Sequence, residues 1–141
     1  MTSQEIFKLM NENPVFYLAT ADGDQPRVRG MLLFRADENG IVFHTGSTKK
    51  VSAQLLKNPK AEMCFFAKGI QVRITGLIEQ SFDEKLREEI FAHPSRQFLH
   101  LPAWTETGMD KTLQVFVMKD CSAVLWTMET NFAEKQVIEL C

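Results

Sequence analysis

Residues 26–59 read PRVRGMLLFRADENGIVFHTGSTKKVSAQLLKNP, in which an arginine-bearing strand, a second strand ending His44-Thr45 and a Ser47-Thr48-Lys49-Lys50 helix start follow in close succession. The cations at the helix start are the physical clue. First-turn N–H groups are unpaired and the helix macrodipole is positive there, so acidic residues are the usual choice and lysines are mildly unfavourable. Two lysines opening an expected helix over Thr48–Lys57 make sense when an anion sits between them, with Ser47 or Thr48 adding a hydroxyl donor. Arg27 and Arg29 alternate with Val28 and Gly30, so strand periodicity places both guanidinium groups on one face, where one would reach the same anion. The bland alternative, four solvated surface cations, fits poorly with a net charge of −2. The stretch reads as a phosphate-binding corner.

The flanking sequence supplies a compact frame for that corner. Ser3–Asn11 carries Ile6, Phe7 and Met10 at helical spacing, with Ser3 as a cap and Pro14 closing the segment. Val15–Thr20 and Arg27–Phe34 read as strands joined by a turn at Asp22-Gly23, and Asp37–Gly40 turns the chain into strand Ile41–Thr45. The helix ends at Asn58-Pro59, because the residue before proline disfavours helical geometry. Strands Ala61–Ala67 and Ile70–Glu79 form a hairpin through Lys68-Gly69, and Gly76 signals a bulge or a close approach. An amphipathic helix follows over Phe82–Ala92, then an irregular loop Pro94–Gly108 with a short helix near Arg96–His100. Two last strands, near Leu113–Met118 and Ser122–Met128, complete the set, and residues after Asn131 read as a tail.

On the residues Arg29–Phe34, Val42-Phe43-His44-Thr45, Lys49-Lys50, Gln54-Leu55, Asn58-Pro59 and Gln71–Gly76, taken in order and spacing, the chain resembles the pyridoxamine 5′-phosphate oxidase-like family of FMN-binding split barrels. The resemblance covers the first half well and the remainder in outline. It implies a single domain over residues 1–141 and a mainly β, α+β fold: an antiparallel split barrel of six or so strands flanked by helices. It further implies FMN as cofactor, with Arg29 near the phosphate and Gly30, Met31 and Leu32 running beside the ring system. His44 and Thr45 would lie against the ribityl chain or ring, and Lys50, with Lys49 and Ser47 beside it, would hold the phosphate. Gln71 would reach an FMN bound mainly by the other subunit of a homodimer.

The chain also departs from the true oxidases. Phe34 stands where they carry a lysine, Val51 follows Lys50 where a second phosphate-binding cation is common, and the segment after Cys121 contains no arginine. Vitamin B6 oxidation is therefore not implied. The expectation is an oxidoreductase passing electrons from a reduced nicotinamide or another small donor to a small organic acceptor, with the chemistry carried by the flavin and no catalytic side chain assigned. A non-catalytic flavin-binding, redox-sensing or stress protein is the alternative, as is a barrel that takes haem, through His44 or His100, or a deazaflavin.

Composition narrows the field further. The 141 residues suit one domain with a real core, and near-balanced charge argues against nucleic-acid binding. The start Met1–Glu5 lacks the features of a signal peptide and no segment reaches membrane-spanning length, so a cytoplasmic location is expected. Cys64, Cys121 and Cys141 lack paired spacing and are expected to be reduced thiols, Cys64 within the core. His44, His93 and His100 are too scattered for a recognisable metal site. Trp104 would either cover the flavin or a substrate, or anchor its loop, and Arg73 and Arg96 are either solvated or await an acidic substrate.

Overall fold

The computed structural model describes residues 1–141. Its sheet runs in the order β3-β2-β1-β4-β5-β6-β7, and an added β3–β6 pairing closes the first six strands into an antiparallel barrel. The strands are β1 (Val15–Asp22), β2 (Gln25–Asp37), β3 (Gly40–Gly46), β4 (Lys60–Ala67), β5 (Ile70–Ser81), β6 (Leu113–Trp126) and β7 (Val137–Glu139). The helices are α1 (Ser3–Glu12), α2 (Lys50–Lys57), α3 (Glu84–Ala92) and the single-turn α4 (Pro102–Thr105) and α5 (Met109–Thr112). The split-barrel expectation therefore holds. None of the helices is long and apolar enough to cross a membrane.

Period-two burial builds the interior. In β1, Phe16 and Leu18 point inward, and they meet Met63 and Phe65 of β4, Val72 and Ile74 of β5, and Phe116 and Met118 of β6 in one core. Phe16 stacks on Phe65 and meets Phe43 edge-on. Helix α1 plugs one side with Ile6, Phe7, Leu9 and Met10. Its cap is Thr2, one residue before the expected Ser3: the Thr2 hydroxyl accepts from Glu5 N–H while the Glu5 carboxylate accepts from Thr2 N–H. A second, smaller cluster lies outside the barrel, where Val42, Val115 and Val117 pack under Leu86 and Ile90 of α3 and Leu99. Strand β3 is thus buried on both faces, which explains its continuous apolar run Ile41-Val42-Phe43.

The C-terminal region departs from expectation in three ways. The two expected strands are one strand of 14 residues, β6. Asp120, in the gap between the two expected strands, takes φ +50°, and the strand bends there without breaking. Across from it the β5 register shifts between Thr75 and Leu77, so Asp120 and Cys121 together oppose Gly76. The expected tail folds back as β7, which pairs Val137–Glu139 with Ser122–Val124. That return brings the Cα atoms of Cys121 and Cys141 to 5.1 Å and joins the two residues as a disulfide, so they are not the reduced thiols expected. Spacing along the chain carries no trace of this pairing, because only the antiparallel return of β7 creates it. Cys64 is free but half-buried on the outer face of β4, opposite Tyr17 and Arg73, rather than in the core.

Gly76 is the residue the bend leans on. A Cβ there would come 2.7 Å from Met118 Cγ and 2.9 Å from the Lys119 carbonyl oxygen, and the latter is backbone that cannot swing away. Gly76→Ala is expected to lower unfolding stability by about 1–3 kcal/mol through this overpacking, whereas Gly23→Ala, at φ +63° but in open space, is strained only through its backbone. Urea denaturation of the two variants checks this: equal stability of Gly76→Ala and the wild type would contradict it.

Candidate functional site

Strands β2 and β3 pair only from Leu33↔Phe43 to Asp37↔Gly40. Before Leu33, β2 stays with β1, as in Leu18↔Arg29 and Val15↔Leu32; beyond Phe43, β3 stays with β6, as in His44↔Val115 and Gly46↔Leu113. The two strands splay apart between these limits and leave one edge of Arg29–Leu32 facing one edge of His44–Gly46 without ladder partners. A cavity of about 550 Å³ opens at this split. Its size falls within the range of small-molecule and cofactor sites.

One end of the cavity is cationic. Helix α2 begins after Lys49, whose backbone is extended and which provides no side-chain cap; its first turn holds no acidic residue. The amides of Lys49 and Ser52 bond to the Gly46 and Lys49 carbonyls, which leaves those of Lys50 and Val51 with no protein acceptor. Arg29 reaches the same corner from β2. Its Nη1 donates to the Leu18 carbonyl (3.2 Å) and Thr20 Oγ1 (2.7 Å), and its Nη2 donates to Gln54 Oε1 (2.6 Å). Thr20 Oγ1 also donates to Gln54 Oε1, so β1, β2 and α2 are tied through one buried polar cluster. An arginine has five N–H donors, so two on Arg29, one on Nε and one on Nη2, remain for a bidentate contact. Ser52 Oγ donates to Gln114 Oε1 and fastens α2 to β6.

The other end is aromatic and comes from the segment after α3. Phe98, Leu99, Trp104 and Met109 line it opposite His44, with Phe98 and Trp104 packed edge to face at 5.1 Å. Arg87 of α3 anchors the return of this segment by donating to the Asp110 carbonyl at 2.6 Å and to the Leu113 carbonyl. Arg96, expected to be solvated or free for a substrate, is instead 2% exposed. Its Nε donates to His44 Nε2 (2.8 Å) and its Nη2 to the Leu33 carbonyl (2.8 Å), with the guanidinium over the Phe34 ring. Burial chiefly, and the Arg96 charge next, lower the His44 pKa to about 4.

The expected site residues divide into two groups. Arg29, Gly30, Met31, Leu32, His44, Thr45, Lys49 and Trp104 line the cavity. Ser47 and Lys50 lie outside that lining, both exposed beside it at the start of α2. Gln71 lies away from it on the outer face, between Phe66 and Trp126. Arg73 is exposed on the same face. Sequence reading did not anticipate Phe98, Met109 or the burial of Arg96, and the only signal for them was the aromatic and apolar content of a segment read as irregular.

The model of the family described as pyridoxamine 5′-phosphate oxidase matches residues 2–119. A pyridoxine/pyridoxamine 5′-phosphate oxidase of Pelagibacter ubique is 35% identical over 86 residues, 59% of this chain and 41% of that protein. The chain thus spans about two fifths of the length of the curated relatives it matches. Among solved structures, a NimC/NimA-family protein of Clostridium acetobutylicum superposes with TM-score 0.76 at 26% identity, covering 98% of this chain and 93% of that one. A general stress FMN/FAD-binding protein of Xanthomonas citri gives 0.69 at 17% identity (94% and 92% covered), and a heme-binding protein of Mycobacterium smegmatis gives 0.68 at 15% (97% and 57%). These last two share the fold.

The His44 environment generates a pH dependence of stability. Its folded-state pKa of about 4 lies below the ordinary value of 6.5, so the unfolded chain binds more protons between the two. The His44 contribution to stability is full above pH 6.5 and is lost as pH falls through about 4, by up to roughly 3 kcal/mol. Urea melts across that window are expected to show this slope in the wild type and a flatter one in His44→Gln; identical slopes would contradict it.

Proposed function

This chain belongs to the pyridoxamine 5′-phosphate oxidase family, and on that premise we propose that it is a flavoprotein whose cavity between β2 and β3 takes FMN. The observation that carries the proposal is the polarity of that cavity. Cationic donors, Arg29 with two spare N–H groups, Lys49 and the open amides of α2, sit at one end of an apolar slot about 550 Å³ in volume. This donor set suits a phosphate ester attached to a flat ring. The N–H groups and lysines would bind the phosphate, and Thr45 and the unpaired edge of Gly30–Leu32 would meet the polar rim of the ring. Phe98, Trp104 and Met109 would cover the apolar ring and exclude water. The family resemblance implies the larger share of the phosphate for Lys50; because Lys49 lines the cavity wall, this proposal gives that share to Lys49, with Lys50 and Ser47 supporting from outside it.

When bound, FMN would supply two-electron chemistry, accepting from a reduced nicotinamide or another small donor and passing electrons to a small organic acceptor such as a quinone or nitro compound. The protein's own part is binding, orientation and access, the same whether the flavoprotein turns over or only senses redox state. Haem fits these residues less well. His44 Nε2 is taken by Arg96, and His100 Nε2 lies 2.6 Å from the Phe91 carbonyl oxygen, so neither offers a free Nε2 ligand.

A homodimer completes this reading. Val15, Tyr17, Val28 and Phe66 point outward from β1, β2 and β4 and are 63%, 55%, 69% and 62% exposed. Register places Tyr17 between Gly30 and Cys64, and Ala19 between Val28 and Glu62, so these side chains share one face, which also carries Gln71 and Arg73. Val15 and Gly30 belong both to this face and to the cavity wall. A second copy laid on the face would bury the apolar residues and bring a partner Gln71 toward the flavin.

Purified protein is expected to show a flavin absorption spectrum, or to gain one stoichiometrically when the apo form is titrated with FMN; a colourless protein indifferent to FMN would sink the reading. Arg29→Met and Lys49→Ala are each expected to weaken FMN binding by about 1–3 kcal/mol, and Lys50→Ala by less. Tyr17→Glu is expected to halve the mass seen by light scattering and to release flavin. Full flavin retention by that monomer would remove Gln71 from the site.

A further inference from the structure

Arg96 is a buried cation with no anion beside it. Its side-chain contacts are His44 Nε2, the Leu33 carbonyl, Ser95 Oγ (3.0 Å) and the faces of Phe34 and Phe98, and no carboxylate pairs with it. Such a cation is held by its hydrogen bonds, and each of them therefore carries geometric consequence. A guanidinium does not deprotonate in a protein, so its Nε–H only donates. His44 Nε2 must then accept, and an imidazole that accepts at Nε2 carries its one proton on Nδ1. Imidazolium would set one N–H against another. The other ionisable side chains of the cavity wall, Arg29 and Lys49, are also cations, and no acidic group lines it to favour the charged ring. Burial and Arg96 accordingly hold the His44 pKa far below its ordinary value.

The Nδ1 atom has no protein partner, since the one side-chain hydrogen bond of His44 is that from Arg96. Yet no buried side-chain nitrogen or oxygen in the molecule lacks a partner. Nδ1 is therefore open, and His44 lines the cavity. We propose that Arg96 is a positioning residue that locks His44 in its neutral Nδ1–H tautomer, so that the cavity wall presents a fixed N–H donor to an oxygen acceptor on the ring bound there. That oxygen is either a carbonyl of the cofactor ring or a carbonyl or nitro oxygen of a second ligand stacked on it. The acceptor rests on the flavin reading; the lock does not.

Long-range ¹H–¹⁵N NMR of the cofactor-free protein tests the lock, with the His44 signals identified by their loss in His44→Gln. The expected result is the Nδ1-protonated pattern, unchanged between about pH 7.5 and 5.5. An Nε2–H pattern, or titration in the ordinary histidine range, overturns the proposal. Arg96→Met keeps apolar volume but removes the donor; while it remains folded, His44 is expected to move toward the Nε2–H tautomer and to titrate higher. An unchanged tautomer in the folded variant overturns the role of Arg96, and if that variant does not fold, the wild-type spectrum decides alone. His44→Phe is then titrated with FMN and, once loaded, with 1,4-naphthoquinone. Loss of the donor is expected to weaken one of them roughly tenfold: FMN where the oxygen belongs to the cofactor, naphthoquinone where it belongs to the second ligand. Unaltered affinity for both removes the donor role. A protein that keeps the Nδ1–H signature but takes up no FMN overturns the flavin reading and the acceptor with it, and leaves the Arg96 lock standing.

Discussion

Pairing between β3 and the first half of β6 is the constraint on which the remaining structure depends. Without it the strands form an open sheet with β3 as an exposed edge. With it, Ile41–Gly46 are fixed against Leu113–Met118, and β3 lies between the barrel core and the cluster under α3. The same pairing draws the end of β3 toward β6 while Arg29–Leu32 remain with β1. The split, and the cavity in it, are consequences of where each strand finds its hydrogen bonds rather than a separate feature added to the barrel.

The cavity has two unlike ends because two different elements finish it. Helix α2 begins where β3 stops, so unpaired amides and lysines gather near Arg29, which Thr20 and Gln54 hold in place. The segment between α3 and β6 finishes the other end with Phe98, Trp104 and Met109, anchored by Arg87 at its return and by Arg96 beneath it. Arg96 is buried without a carboxylate, which costs desolvation energy unless its hydrogen bonds are well made. Those bonds join the Leu33 carbonyl, at the point where β2 leaves β3, to His44 on the opposite side of the split. One side chain thus links the covering segment to both edges of the cavity.

Much of the frame was legible from periodicity. Alternation in Val15–Thr20, Ala61–Ala67 and Ile70–Glu79, the Asp22-Gly23 and Lys68-Gly69 turns, and the Asn58-Pro59 stop all produce elements within a few residues of where local chemistry puts them. The corner was legible as well, since lysines at a helix start and an arginine on an adjacent strand are a local electrostatic anomaly. Misreadings concentrate where a residue acts on something distant in sequence. The break expected between Met118 and Ser122 proves to be a bend within β6, where Asp120 and Cys121 face Gly76 across the ladder. The residues after Asn131 look like a tail until β6 offers them an edge.

By itself, then, the sequence determined most strands and turns up to β5 and the charged corner, because each follows from contacts or dipoles within a short span of chain, while the barrel class came from the family resemblance carried by Arg29–Phe34, Val42–Thr45, Lys49-Lys50 and Gln71–Gly76. The tertiary structure alone decided which residues share the cavity: Lys49 on its wall with Lys50 outside, Gln71 on the outer face, Cys121 joined to Cys141, and Arg96 buried against His44. Those outcomes depend on barrel closure and on the path of the chain between α3 and β6. Side chains more than 50 positions apart meet there through packing, which leaves no periodic or spacing signal in the sequence.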